Sequence, residues 1–194
     1  MIFLASASLT RFELLQEAGV VTTRVKTEFD EAKHQSAISA LPPSEQALFL
    51  ALGKARLALN VPDGALVIGV DQIASMNGKV FHKAATTEEA RQQLLMLRGQ
   101  THMLSSAVSC RRSGKEVYSH VSTAELTMRN FSDAFLEAYL RVTGDDCSRT
   151  VGCYKIEGPG VQLFSAIAGD YNTILGLPLM PLLEFLRGAG EIQT

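Results

Sequence analysis

Several residues of this chain have the types and surroundings needed to handle a phosphorylated ligand. Asp71 follows the apolar run Ala65 to Val70, which reads as a buried strand, and Gln72 comes directly after it. An acid at the end of such a run belongs to the rim of a sheet, where α/β proteins build clefts. The plain alternative is a solvated strand-end charge. At the N-terminus, the apolar stretch Ile2 to Ala5 enters the hydroxyl-rich turn Ser6-Ala-Ser8-Leu-Thr10-Arg11. A helix leaves that turn with Phe12, Leu15 and Ala18 at helical spacing. Free backbone N–H groups and the helix dipole attract anions there, and Ser8, Thr10 and Arg11 add hydroxyls and a guanidinium suited to phosphate oxygens. Ser8 or Thr10 could equally do no more than cap the helix. The turn is not a P-loop, because the glycines and the Lys-Ser/Thr pair are missing. Glu31 and Asp71 suit a hard divalent cation, Lys54 and Lys83 the neutralisation of phosphate charge, and Ser8 and Arg11 the grip on a terminal phosphate. Taken singly, both lysines also read as ordinary solvated side chains.

Other chemistries have less support. His34, His82, His102 and His120 lack metal-ligand spacing, and His102, inside a strand pattern, reads as a satisfied core or edge residue. Gly-x-Ser-x-Gly is absent, so no serine triad can be assembled.

The elements that must position these residues follow from periodicity and punctuation. Val20 to Lys26 is strand-like and delivers Glu28 to Glu31 into a polar loop. The breaker Leu41-Pro-Pro-Ser44 precedes a helix from Glu45 to about Asn60 that carries Lys54. Ile73 to Phe81 reads as a hairpin around Asn77-Gly78, and Thr86-Thr-Glu-Glu89 as a capping box opening a helix with Ala90, Leu94 and Leu97 inward. Long strands over Thr101 to Cys110 and Glu116 to Arg129 are joined by Arg111-Arg-Ser-Gly114. Ser132 caps a helix reaching about Val142, Gly144 to Cys147 is a loop, and the Gly-rich stretch Gly152 to Gly160 precedes a strand near Val161 to Ala166. A last helix follows Pro181. Helices and strands are mixed throughout, so the class is α/β or α+β with a large mixed sheet.

Composition bounds the rest. The 194 residues, 46% of them hydrophobic, suit one domain over 1–194, with room for two lobes. With 18 basic and 20 acidic residues, there is no basic excess for a nucleic-acid face, which leaves a small ligand. Cys110, Cys147 and Cys153 give no disulfide framework and indicate a reducing compartment. No segment approaches the roughly 18 apolar residues of a membrane span, and a cytoplasmic protein is expected.

The chain resembles the Maf-like nucleoside triphosphate pyrophosphatases along nearly its whole length. The matching stretches are Leu4-Ala-Ser-Ala-Ser8 with Arg11, Phe29-Asp-Glu31, Lys54-Ala55, Ile68-Gly-Val-Asp71, Gly78 to Lys83, Leu97-Arg-Gly99 with His102, Gly152-Cys-Tyr154, Glu157-Gly158 and Gly169 to Leu179. The resemblance implies a two-lobed α/β fold similar to that of inosine triphosphate pyrophosphatases, with a cleft between the lobes, often as a homodimer. It implies cleavage of a nucleoside triphosphate to the monophosphate and pyrophosphate with a divalent cation, Mg²⁺ or Mn²⁺. It further implies that Asp71 is the catalytic acid, that Glu31 joins it at the metal, and that Ser8, Arg11, Lys54 and Lys83 bind substrate. Thr10, Gln72 and Glu157 fall where base selection is tuned. Gln72 and Glu157 look like the branch that prefers 7-methyl-GTP, whereas Thr10 does not fit that branch. Leu9, His82 and Ala84 also depart from the family pattern. The rival reading is a non-catalytic nucleotide-binding regulator of cell division or septum formation, and a phosphatase releasing orthophosphate is a third.

Overall fold

The computed structural model describes residues 1–144 and 150–193. The chain divides into two compact units, each built from separate stretches of sequence. The first comprises Met1–Gln72, Ser105–Thr123 and the chain from Asp170 onward. It holds β1 (Ile2–Ala5), α1 (Leu9–Glu17), β2 (Thr22–Arg24), α2 (Glu31–Ile38), α3 (Pro43–Arg56), the start of β3 (Leu66–Met76), α6 (Tyr171–Ile174) and α7 (Leu179–Gly188). The second comprises Ile73–Leu104 and Ala124–Gly169, with β4 (Lys79–Phe81), α4 (Thr87–Leu97), α5 (Asp133–Thr143) and β7 (Phe164–Ala168). The long strands β3, β5 (Thr101–Arg112) and β6 (Lys115–Met128) contribute residues to both units.

The strands form a seven-stranded open sheet of order β2-β1-β3-β5-β6-β7, with β4 paired to β3. β1 is parallel to β2 and to β3, in register Ile2 with Leu66 and Ala5 with Gly69. Parallel strands need crossovers, and here α1 and the pair α2 and α3 supply them. The sheet is therefore mixed, as expected for an α/β chain.

Local signals account for most element boundaries. Ile2, Leu4, Leu66, Ile68 and Val70 face a core that also takes Leu14, Leu15, Leu182 and Leu186. Ala90, Leu94 and Leu97 are fully buried along α4. The capping box forms, with Thr86 Oγ1 accepting from Glu89 N at 3.1 Å, although the Glu89 carboxylate reaches Ala85 N rather than the cap itself. Ser132 caps α5 through Phe135 N at 3.2 Å. The Asn77-Gly78 and Ser113-Gly114 turns both run through positive φ, as tight hairpins of right-twisted strands require.

Other boundaries differ from expectation. The strand bearing Asp71 does not stop there but continues to Met76, because hairpin pairing with β4 extends it. Asp71 is thus a buried residue within a strand rather than a rim charge. Helix α1 begins at Leu9, so Thr10 and Arg11 lie in its first turn, and Ala18 is exposed while Leu14 and Leu15 are buried. Two short helices, α2 and α6, were not anticipated. Pro43 rather than Glu45 opens α3, and α3 ends at Arg56 rather than near Asn60, because Leu59 N turns to bond Lys26 O at 2.8 Å. Residues 159–163 form a 3₁₀ turn, which delays β7 to Phe164, and α7 starts at Leu179, before Pro181. The loop expected at Gly144 to Cys147 lies, beyond Gly144, outside the described residues, and Cys147 with it. Cys110 and Cys153 are buried thiols, and Cys153 Sγ donates to Gln93 Oε1 at 3.5 Å. Among the described residues no helix is long and apolar enough to cross a membrane.

Candidate active site

Alternation along β3 decides which way each functional side chain points. Val67 packs with Ala5 and with Ala55 of α3, whereas Leu66, Ile68 and Val70 fill the opposite core. Asp71 shares parity with Val67 and so falls on the α3 face; Gln72 falls on the other. Gly69, on the same face as Asp71, lets α3 come close. A Cβ there would stand 2.1 Å from Ala51 O and 2.6 Å from Ala55 N. That approach brings Lys54, next to Ala55 on the helix, against Asp71.

The result is a charged cluster in the first unit. Lys54 Nζ donates to Asp71 Oδ1 and lies 2.8 Å from Glu31 Oε1. The Lys54 and Asp71 side chains are only 12% and 10% exposed, against 53% for Glu31, so the first pair sits in low dielectric and the second near water. Burial pushes the Asp71 carboxyl up from the usual carboxylate range, against the pull of Lys54 and Arg11. A raised pKa makes Asp71 a better proton acceptor near neutrality than an exposed aspartate.

Arg11 approaches from α1. Its Nε donates to Gly176 O at 2.8 Å and its Nη1 to Val70 O at 3.0 Å and Ser6 Oγ at 3.4 Å. Burial lowers its pKa, while Asp71 and Glu31 oppose that shift. The guanidinium therefore ties α1, the backbone just before Asp71 and the loop after α6 together, a bracing role that residue type alone did not disclose. Ser8 is the α1 cap, with its hydroxyl accepting from Arg11 N at 3.4 Å. Ser6, which the sequence left without a role, is buried and accepts from both Ser8 N and Arg11.

On the other face, Gln72 Nε2 donates to Ser106 Oγ at 2.9 Å, Thr173 O at 3.0 Å and Ile174 O at 3.0 Å. Ser106 in turn donates to Thr173 O at 2.7 Å. Asp71 and Gln72, neighbours on β3, thus make their contacts on opposite faces of the strand. Gly176, at φ +99°, leaves room for Arg11 and for the Gln72 carbonyl, which a Cβ there would approach to 3.5 Å. Thr10 is half-buried in α1.

The second unit carries the remaining candidates. Lys83 is exposed between β4 and α4, and Glu157 is exposed in the turn preceding the 3₁₀ segment. That turn is anchored from within by Tyr154, whose hydroxyl shares a 2.6 Å hydrogen bond with His102 Nε2 and whose ring packs edge-on against Phe164. His102 is a core residue, as its strand position suggested, and burial pulls its pKa down to about 4.

Glu31 and Asp71 offer two carboxylates converging on one ammonium, and among the described residues no cluster of three or more His, Cys, Asp or Glu could hold a metal. Such a pair fits Mg²⁺ or Mn²⁺ only where water and ligand oxygens complete the shell, which is the usual habit of Mg²⁺ at phosphates.

Comparison with known proteins bears on this arrangement. The family model described as Maf-like protein matches residues 1–189. A nucleoside triphosphate pyrophosphatase of Paramagnetospirillum magneticum is 45% identical over 97% of this chain and 98% of its own. Proteins named 7-methyl-GTP pyrophosphatase from Brucella abortus and Mesorhizobium japonicum are 43% and 44% identical, over 95% and 99% of this chain and 94% and 98% of theirs.

Proposed function

The chain belongs to the family of Maf-like proteins, and from that premise we propose that it is a hydrolase cleaving nucleoside triphosphates to the monophosphate and pyrophosphate. The observation that carries this reading is the buried Lys54–Asp71 pair with Glu31 beside it, at positions the family pattern assigns to substrate binding, catalysis and the metal respectively.

The roles follow from the geometry. Asp71, buried and raised in pKa, orients the attacking water and accepts its proton. Lys54 holds that carboxylate in place and presents positive charge to a phosphate oxygen as charge moves toward the leaving pyrophosphate. Arg11, fixed by two backbone carbonyls, is preorganised and cannot swing away when an anion arrives. Ser8 shapes the first turn of α1, where unpaired N–H groups favour an anion.

Charge balance supports a divalent cation. Asp71 and Glu31 against Lys54 and Arg11 sum to no net charge, so a triphosphate would enter without compensation from the cluster itself. Glu31 and Asp71 would hold Mg²⁺ or Mn²⁺, which when bound neutralises phosphate charge and lowers the pKa of water. Lys83, solvent-exposed in the second unit, is the second lysine that the family resemblance assigns to substrate.

The family resemblance assigns base selection to Thr10 and Gln72 of the first unit and to Glu157 of the second. All of the Gln72 amide donors are engaged by Ser106, Thr173 and Ile174, so what remains for a base is its carbonyl, an acceptor for an exocyclic amino group. Glu157 is also an acceptor and would favour a cationic, methylated purine. Both traits suit 7-methyl-GTP, the substrate in the names of the Brucella and Mesorhizobium relatives.

The test is product analysis with a panel of purine, pyrimidine and 7-methylated guanine triphosphates, with and without Mg²⁺ or Mn²⁺. Pyrophosphate as the released product is expected, with 7-methyl-GTP preferred. Orthophosphate release would replace this reading with that of a phosphatase, and binding without turnover would replace it with that of a nucleotide sensor.

A further inference from the structure

Glu31 reaches Lys54 although its helix has little to hold it. Along α2 only Ile38 is buried, and Glu31 is its first residue, directly after the Asp30 cap. The preceding backbone is fastened to the end of α3 by Glu28 N to Leu57 O at 3.0 Å and by the Thr27 to Ala58 bridge. Beyond Glu28 the anchor is a side chain. The Phe29 ring lies over Gly53, the residue before Lys54, and a Cβ at position 53 would stand 2.2 Å from Phe29 Cε2 and 2.5 Å from Cδ2 and Cζ. His34 of α2 stacks on the same ring at 4.7 Å, with Phe49 of α3 at 6.2 Å.

Glycine is a poor choice in a helix interior, where alanine is intrinsically more stable. Gly53 occupies the eleventh position of the fourteen-residue α3, well inside it. The residue makes sense as a notch, since only a missing side chain leaves room for the Phe29 ring against the helix.

We propose that Gly53 and Phe29 are positioning residues whose seat sets the reach of Glu31 to Lys54, and so completes the charged cluster. The inference rests on the pyrophosphatase reading for its kinetic consequence, but not for its structural one. Ordinary carbon contacts lie at about 3.5–4.0 Å, so a methyl at position 53 must drive the ring outward by more than about 1 Å. Glu31, two residues along the same strap, moves with it, whereas Lys54 and Asp71 stay on elements fixed by the core.

The variants are Gly53→Ala, Phe29→Ala, Glu31→Gln and the double variant Gly53→Ala/Glu31→Gln, all in the full chain. Gly53→Ala should keep or raise the Tm, because it improves helix propensity and displaces only a weakly buried segment. Amide hydrogen exchange over Ala32 to Ile38 should accelerate in Gly53→Ala and Phe29→Ala and stay unchanged through the rest of α3. In kcat/KM, Gly53→Ala should lose about tenfold to a hundredfold, the scale of a 1 Å misplacement, and should lose nothing further when Glu31 is already Gln. Unchanged exchange in α2 overturns the proposal whether or not the protein turns over. Accelerated α2 exchange as expected, but with additive losses of kcat/KM in the double variant, shows that the seat does not act through Glu31, and overturns the proposal as well. Absence of any wild-type pyrophosphatase activity, with α2 exchange responding, refutes the functional reading and leaves the seat standing.

Discussion

Replacing Lys54 by Met removes the ammonium from two carboxylates in unequal settings, and the inequality fixes the expected size. The Asp71 arm is about nine-tenths buried on both sides, and breaking a buried pair by removing one partner costs about 3–5 kcal/mol. The Glu31 arm is half exposed, where ion pairs contribute about 0–1 kcal/mol. Lys54→Met should therefore destabilise the protein by about 3 kcal/mol near pH 8, almost all of it through Asp71. Asp71→Asn should cost less, because Lys54 keeps Glu31 as partner, and the double variant should recover about 2 kcal/mol relative to the sum of the singles. The pH dependence has a definite sign. The Asp71 carboxyl is already raised by burial, and losing Lys54, the largest opposing influence, raises it further. Its folded-state pKa then lies above the unfolded value, so the folded chain holds a proton that the unfolded chain has released. Stability falls as pH rises through that window, and the penalty of Lys54→Met should be smaller at about pH 5 than at about pH 8. Urea unfolding of the four proteins at the two pH values measures this. Additive losses within about 0.5 kcal/mol that do not change with pH would refute the buried-pair account.

Five further outcomes are expected. Asp71→Asn should fold and lose at least about a hundredfold in turnover, the usual scale for a general base, as read by pyrophosphate release; near-normal turnover removes Asp71 from the chemistry. Arg11→Ala should lower Tm as well as activity, since it strips the bracing of the Val70 and Gly176 carbonyls, whereas Lys83→Ala, at an exposed position, should leave Tm unchanged and raise KM more for triphosphates than for monophosphate inhibitors. Glu157→Gln should change the ranking of nucleotides in kcat/KM more than the best rate, and an unaltered ranking shows that Glu157 does not read the base. His102 lies at about 4 against an ordinary 6.5, so the unfolded chain binds the extra proton between those values and stability falls as pH drops through them, by about 3 kcal/mol at most. His102→Gln should flatten that slope in urea titrations at about pH 7 and pH 4.5, and an undiminished slope assigns it to other groups.

Much of this arrangement was legible in the residues alone. Period-two and helical patterns placed β1, β5, β6, α4 and α5 to within a few residues, because buried faces and caps are local properties. The charged residues Asp71, Glu31, Lys54 and Arg11 stood out because carboxylates beside lysines and a hydroxyl-rich helix start suit phosphate chemistry, and the first unit draws these four together. Their partners could not be read in the same way. The contact between Lys54 and Asp71 depends on the close approach of α3 to β3 at Gly69, and the reach of Glu31 on the notch at Gly53. The duties of Arg11 and Gln72 depend on carbonyls of Gly176, Thr173 and Ile174, some hundred residues or more away in the chain. Propensity and spacing report what a residue can do among its sequence neighbours. The raised Asp71 carboxyl, the braced guanidinium and the saturated Gln72 amide arise from burial and from long-range backbone acceptors, which exist only once the sheet has brought distant segments side by side.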